Sequence, residues 1–176
     1  MIENTQQYPA VPPDDLKRSL TLAQPESPPT HWIGWRHLHG YCERRGDERT
    51  FLRDRYAYPT RRRTAPHRHD FEETFIVLEG EMEATFRGKK TIVRAGTTLN
   101  IPSNAPHQFH NTSSRPVRML CICSPAGQEK FFTEVGVPVA TRTTPPPRLN
   151  EDDAAAFIAR VKALAPKYRT ELLREA

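Results

Sequence analysis

Long apolar runs are absent from this 176-residue chain. None approaches the roughly 18 residues that a membrane-spanning helix needs, and no positively charged start leads into an apolar stretch as a secretory signal would. The sequence therefore predicts a cytoplasmic protein with no membrane partner. Cysteine is scarce too: Cys42, Cys121 and Cys123 make an odd count, and an intracellular chain of this size does not need a disulfide framework. Cys121 and Cys123 stand two apart and share a strand face. A soft-metal or redox pair is one reading of them, but inside the apolar run 119–123 small hydrophobic packing is preferred.

Nucleic-acid signatures are also missing. The net charge is +5 and the pI about 9.3, yet no helix-turn-helix, zinc finger or basic-aromatic interleaving accompanies them. The 26 basic residues are interspersed with 21 acidic ones, so the charge reads as solvated surface and no nucleic-acid partner is expected. Arg61-Arg62-Arg63 could instead rim a pocket mouth and attract an anionic substrate. Hydrophobic residues make up only 36% while prolines number 17, which points to proline-rich arms around a compact middle. The length suits one domain. Its parts are a proline-rich arm over 1–30, a β domain over 31–140, and a proline linker with a C-terminal helix over 141–176.

From 33 to 124 the chain alternates short strand-like segments with turn signals, the pattern of an all-β antiparallel sandwich or barrel. Strands are predicted over 51–58, 72–78, 82–86, 91–94, 99–101, 106–109 and 117–122, with turns at Gly80, Gly88 and Gly96. A short helix over 129–135 stops at Gly136. Asn150-Glu-Asp-Asp then opens an amphipathic helix with Phe157, Ile158, Val161 and Leu164 on one stripe, ending before Pro166. The arm holds one short possible helix, over 14–22. No internal repeat or low-complexity segment is evident.

Against this background, metal-ligand residue types are concentrated. His67-Arg68-His69 precedes Glu73, and His107 arrives later in a second cluster. Residues two apart on a strand project to the same face, so His67, His69 and Glu73 share one parity and are expected to converge, with His107 joining them. Three imidazoles and one carboxylate suit one divalent transition metal (Fe, Ni, Mn, Co, Cu or Zn) and leave coordination positions open. Phe75, Val77 and Phe109 share the ligand parity and are expected to form the apolar, pocket-lining wall. His110 and Glu72 have the opposite parity and fall outside the ligand set. His37-Leu-His39-Gly-Tyr-Cys-Glu43 repeats the spacing, but Glu43 runs into the polar Arg44-Arg45-Gly46-Asp47, whereas Glu73 runs into the apolar Phe75-Ile76-Val77-Leu78 and a turn at Gly80. The first copy is read as strand surface or pocket lining.

Two stretches carry a family resemblance. His67-Arg-His69-Asp-Phe-Glu-Glu73-Thr-Phe-Ile-Val-Leu-Glu-Gly80, and Gly96-Thr-Thr-Leu-Asn-Ile-Pro102-Ser-Asn-Ala-Pro-His107-Gln-Phe-His-Asn111, together resemble the two signature motifs of the cupins. Trp32-Ile-Gly before them and Cys123-Ser-Pro-Ala-Gly-Gln-Glu-Lys-Phe-Phe after them resemble single-domain cupins of the quercetin dioxygenase-like group, a likeness running over about 32–172. The first motif of that family usually opens with glycine where this chain has Arg61, and the second usually has glycine where this chain has Asn104. The likeness implies a double-stranded β-helix, or jelly-roll barrel, with a short helix after the barrel and a C-terminal helix.

By the same resemblance, the expected activity is that of a metal-dependent dioxygenase acting on a small oxygenated, aromatic or enol, substrate. Dioxygen is then a second substrate, and Glu73 is both metal ligand and catalytic general base. Cupins also include isomerases, epimerases and non-catalytic binding modules, so a metal-anchored binding cupin and a metal-dependent isomerase are the alternatives. Cupins commonly pair through their barrel faces. With the arm over 9–30 packing on a neighbour, the expected assembly is a homodimer.

Overall fold

The computed structural model describes residues 30–33, 37–45, 48–59, 61, 63–141, 144–145 and 147–174, with the backbone alone for 30–31, 37–45 and 48–58. The helix predicted over 14–22, and the arm through residue 29, lie outside the described residues. So do the side chains of His37, His39, Cys42 and Glu43.

The described residues form twelve strands: β1 Thr30–Trp32, β2 His37–Arg45, β3 Glu48–Tyr58, β4 His67–His69, β5 Glu72–Glu79, β6 Glu81–Phe86, β7 Lys89–Arg94, β8 Thr98–Ile101, β9 His107–His110, β10 Val117–Ser124, β11 Val137–Val139 and β12 Thr170–Leu172. Helix α1 spans Gln128–Val135 and α2 spans Glu151–Leu164. Seven strands form one antiparallel sheet in the order β11-β1-β2-β3-β10-β5-β8, and five form a second in the order β12-β4-β9-β6-β7. These sheets are the two walls of an all-β jelly roll.

Period-two alternation places the core between them. Glu73, Phe75 and Val77 on β5 are buried while their neighbours are less so, and β10 buries Val117, Met119, Cys121 and Cys123 in the same way. From the facing sheet, β6 contributes Met82 and Ala84, and β9 contributes His107 and Phe109. Phe75 and Phe109 meet edge to face with ring centroids 4.7 Å apart, which joins the two sheets at the centre.

The C-terminal segment is more than an appended helix. Asn150 caps α2 by accepting a hydrogen bond from the Asp153 amide at 2.8 Å. Phe157 rests against Trp32 of β1 with centroids 5.5 Å apart, and Val161 is buried. Ile158, predicted on the same stripe, is instead 52% exposed. The apolar face of α2 is therefore narrower than its pattern suggests, because the helix rests on the domain along one edge only. Past Pro166, β12 returns to pair with β4 in the register Thr170↔His69 and Leu172↔His67. Only a linker and a helix are predicted from the sequence after 141; a three-residue strand that depends on a distant partner carries no periodic signal of its own.

Both departures from the glycines of the family motifs sit at left-handed backbone. Arg61 has φ 56° and Asn104 has φ 67°. Such a conformation costs an L-residue roughly 1–2 kcal/mol, a cost Asn tolerates better than Arg. Gly80, between β5 and β6, has φ +82°, and a Cβ there would stand 3.0 Å from the Pro116 carbonyl oxygen and 3.2 Å from Val117 Cγ2. We expect Gly80→Ala to destabilise the domain by about 1–3 kcal/mol and Arg61→Gly to be neutral or mildly stabilising. Denaturant titration of both variants checks the opposite signs.

Candidate metal centre

The chain crosses from one sheet to the other at Asp70-Phe71, and that crossing builds the centre. His67 and His69 lie on β4, and His107 lies on the adjacent β9 with its Cα directly opposite His67. Glu73 lies on β5, in the facing sheet. The four residues come together, though they do not share one strand. Two sheets face each other, and each contributes from its inner side.

Their ligand atoms all lie within 4.8 Å of one another. Glu73 Oε2 is 3.1 Å from His107 Nε2 and 3.2 Å from His69 Nε2. Edges of that length match the spacing, about 3 Å, between neighbouring donors that each stand roughly 2.1 Å from one ion. Glu73, His107 and His69 are 2%, 3% and 4% exposed, and His67 is half-buried.

The far side of each imidazole is already occupied. His67 Nδ1 lies 2.7 Å from the Ala65 carbonyl oxygen and His107 Nδ1 lies 3.0 Å from that of Ala105. A carbonyl only accepts, so both Nδ1 atoms carry hydrogen and donate, leaving both Nε2 lone pairs to face inward. His69 Nδ1 lies 3.0 Å from Thr170 Oγ1, whose own hydroxyl donates to the Tyr168 carbonyl at 3.2 Å. With its hydrogen committed, Thr170 accepts from His69 Nδ1. His69 Nε2 is then buried and makes no hydrogen bond, and a bare buried lone pair of that kind is costly without a partner. A divalent transition cation fits this donor set: three inward Nε2 atoms and one carboxylate.

The electrostatics agree. Desolvation pushes His67 well below its ordinary value of 6.5, and the charges of His107 and His69 push it further the same way. Burial alone would raise the Glu73 carboxyl, but without a metal the positive charge that His69 and His107 carry when protonated, and the hydrogen bonds they then donate, outweigh it and hold Glu73 well below the usual carboxylate range; a bound cation would take the place of those protons. Neutral imidazole and ionised carboxylate are the ligand forms.

The other oxygen of Glu73 faces β10. Oε1 lies 3.7 Å from Cys121 Sγ and 3.8 Å from Cys123 Sγ, and the two sulfurs are 3.6 Å apart. These thiols pack as small core residues, as expected, but they also touch the site, which the strand pattern of 119–123 does not reveal. Thr170 was equally hidden, since 101 residues separate it from His69. Glu72, set aside by parity, accepts from Asn100 Nδ2 at 2.7 Å and from the Ser103 amide at 3.1 Å, away from the centre. His110 is half-buried and pairs with Glu83 and Arg63 along the sheet.

Phe75, Val77 and Phe109 are fully buried in the barrel interior, with the Phe109 ring 5.7 Å from that of His107. Two cavities reach the ligands, and other residues line them. One holds about 30 Å³ against His67 and His69, under Phe131, Phe132, Val161 and Leu172. The other is an open groove of about 800 Å³ at His69, with Arg68, Lys162, Arg169 and Arg174 among its walls. Arg61 and Arg63 are part of neither lining, and Arg62 lies outside the described residues.

Residues 55–123 match the Cupin_2 family profile, a cupin domain. An RmlC-like cupin from Shewanella frigidimarina superposes with a TM-score of 0.55 at 17% identity, covering 64% of this chain and 96% of that one. Fold and profile agree over residues 55–123, the stretch that matches a cupin domain. In sequence the chain is similar to an uncharacterized protein of Methanocaldococcus jannaschii, 34% identical over 68 residues, covering 38% of this chain and 54% of that protein. It is also similar to Auxin-binding protein 1 of Arabidopsis thaliana, 37% identical over 70 residues, covering 35% of each. The chain thus spans about half or less of the length of these relatives.

Three outcomes follow for the centre. Elemental analysis after reconstitution should find metal that His107→Ala removes and His37→Ala leaves in place. Thr170→Val should weaken metal affinity about 10–100-fold in chelator competition, while Thr170→Ser should restore it. In metal-free protein, the unfolded chain takes up a proton at His67 below about pH 6.5 that the folded chain refuses, so stability should fall as pH drops through that value. Glu73 acts in the same direction at lower pH, because its depressed folded value makes its contribution vanish as the carboxylate protonates. Thermal melts between pH 8 and pH 5 check this, and His67→Gln should flatten the dependence.

Proposed function

We propose that this cupin is a metal-dependent dioxygenase acting on a small, anionic, oxygen-bearing organic substrate such as an enol or catecholate. The observation that carries the reading is Glu73: one buried carboxylate with Oε2 held 3.1–3.2 Å from two imidazole nitrogens, at a donor set of four. A bound divalent transition metal would supply Lewis acidity toward a substrate oxygen and keep coordination positions open for it.

The chain's own residues do the rest. His67, His69 and His107 would hold the cation, each ring fixed by its Nδ1 partner. Glu73, ionised because of its surroundings, would release Oε2 from the cation to accept the hydroxyl proton of the substrate. Phe131, Phe132 and Leu172 keep bulk water from the small cavity beside His67, and its 30 Å³ admits a molecule the size of dioxygen. The substrate enters from the groove at His69, where Arg68, Arg169 and Lys162 favour an anion. Arg68 and Arg169 are tied to Glu171 and Asp70, so the attraction is a modest steering field. Both atoms of dioxygen enter the substrate, which supplies the electrons. This reading includes a cytoplasmic homodimer that binds no nucleic acid.

A second reading has one observation in its favour. The enclosed space at the ligands is far smaller than a flavonol, and the similarity to a protein named for binding auxin supports a module that anchors a small carboxylate without turning it over. Oxygen uptake separates the two. Metal-loaded protein should consume dioxygen with an enol, catechol or diketone substrate, and Glu73→Gln should lower turnover about 10²–10⁴-fold while retaining measurable metal. No uptake across such a panel with each candidate metal, together with saturable carboxylate binding, would favour the binding module.

A further inference from the structure

We propose a second cation site, formed by Glu73 Oε1, Cys121 Sγ, Cys123 Sγ and Gln128 Oε1, for a thiophilic divalent cation such as zinc, with Glu73 bridging it to the histidine centre. The inference draws on the metal-centre reading only through Glu73.

The geometry carries it. Cys121 Sγ, Cys123 Sγ and Glu73 Oε1 form a triangle with sides of 3.6, 3.7 and 3.8 Å. The centre of that triangle is about 2.1 Å from every corner, and zinc bonds run about 2.3 Å to sulfur and 2.0–2.2 Å to carboxylate oxygen. A cation slightly out of the plane therefore reaches all three donors with only small adjustments. Gln128 Oε1, from the start of α1, lies 3.1 Å from Cys123 Sγ and offers a fourth oxygen. Both cysteines are fully buried, and Gln128 is 4% exposed. Strands β5 and β10 bring three of these donors to one point, and α1 places the fourth beside Cys123.

The chemistry of the residues points the same way. Thiols are weak hydrogen-bond donors, so a serine at either position would satisfy a buried carboxylate oxygen better. What two sulfurs offer instead is affinity for a soft cation. On binding, each thiol releases its proton to solvent and its sulfur takes the cation. Two thiolates, one carboxylate and a divalent cation leave one negative charge, which the neighbouring cation on Oε2 offsets. Carboxylate-bridged pairs of this kind place two cations roughly 3.5–4 Å apart.

Cobalt(II) tests the proposal directly, because thiolate ligation gives a sulfur-to-cobalt charge-transfer band in the near ultraviolet that imidazole and carboxylate do not. Reduced full-length protein would be refolded with excess cobalt(II) or zinc(II), desalted, and measured by elemental analysis and absorbance. We expect two cations per chain with the band present. Cys121→Ser with Cys123→Ser should lose one cation and the band, while His67→Ala with His107→Ala should keep the band and lose the other cation. One cation and no band in the wild type overturns the second site and leaves the histidine centre standing. A band that survives in the wild type while the histidine variant loses no metal would instead remove the histidine centre and keep the thiol site. Should the serine variant fail to fold, the wild-type count and band still decide. A disulfide between Cys121 and Cys123 in the refolded protein, seen as a loss of two titratable thiols recovered by reductant, also overturns the proposal.

Discussion

The burial of one negative charge, on Glu73, organises this molecule. An isolated carboxylate moved into a protein interior costs several kcal/mol even after relaxation, and Glu73 is 2% exposed between two sheets. Everything around it answers that cost. Imidazoles approach Oε2 from the facing sheet, and thiols approach Oε1 from the neighbouring strand. The two oxygens thus meet different chemistry on different sides, nitrogen on one and sulfur on the other. Each partner has its own support: backbone carbonyls for His67 and His107, a hydroxyl for His69, and a buried amide for Cys123.

Much of this was legible in the sequence, and the reason is specific. His67, His69 and Glu73 sit within seven residues beside an apolar run, and Gly80 marks the turn that ends it; short-range spacing and turn chemistry are what a linear pattern records. The alternation of β5 and β10 was legible for the same cause. The parity argument assumed one strand, whereas a bend at Asp70-Phe71 separates the histidines from the glutamate and two facing sheets bring them back together. What the pattern did not carry was contact across distance. Thr170 against His69, Cys121 against Glu73 and the β12–β4 pairing each join segments tens of residues apart. No local periodicity encodes such pairs. Ile158 shows the converse limit: it fits an amphipathic stripe and still faces solvent, because stripe width is set by how much surface the domain offers the helix.

The surface ion pairs that flank β4 and β12 matter less than their number suggests. Arg68 with Glu171 and Arg169 with Asp70 are all roughly half exposed, and pairs of that kind contribute about 0–1 kcal/mol each. The strand is held chiefly by its backbone ladder and by the burial of Thr170. The same arginines do more for the groove beside them, where their guanidinium groups set the sign of the field that an approaching molecule meets. Among the described residues, no helix is long and apolar enough to cross a membrane.

The pairing of β12 with β4 also sets an order of events during synthesis. His69 leaves the ribosome 101 residues ahead of Thr170, and at about 5–20 residues per second that interval is roughly 5–20 s. Only for its last 63 residues, from His107 onward, do the barrel strands that bear all four nitrogen and oxygen donors exist while the hydroxyl that fixes one imidazole does not. The nascent protein therefore passes through a stage in which its centre is assembled but one ring is still able to turn.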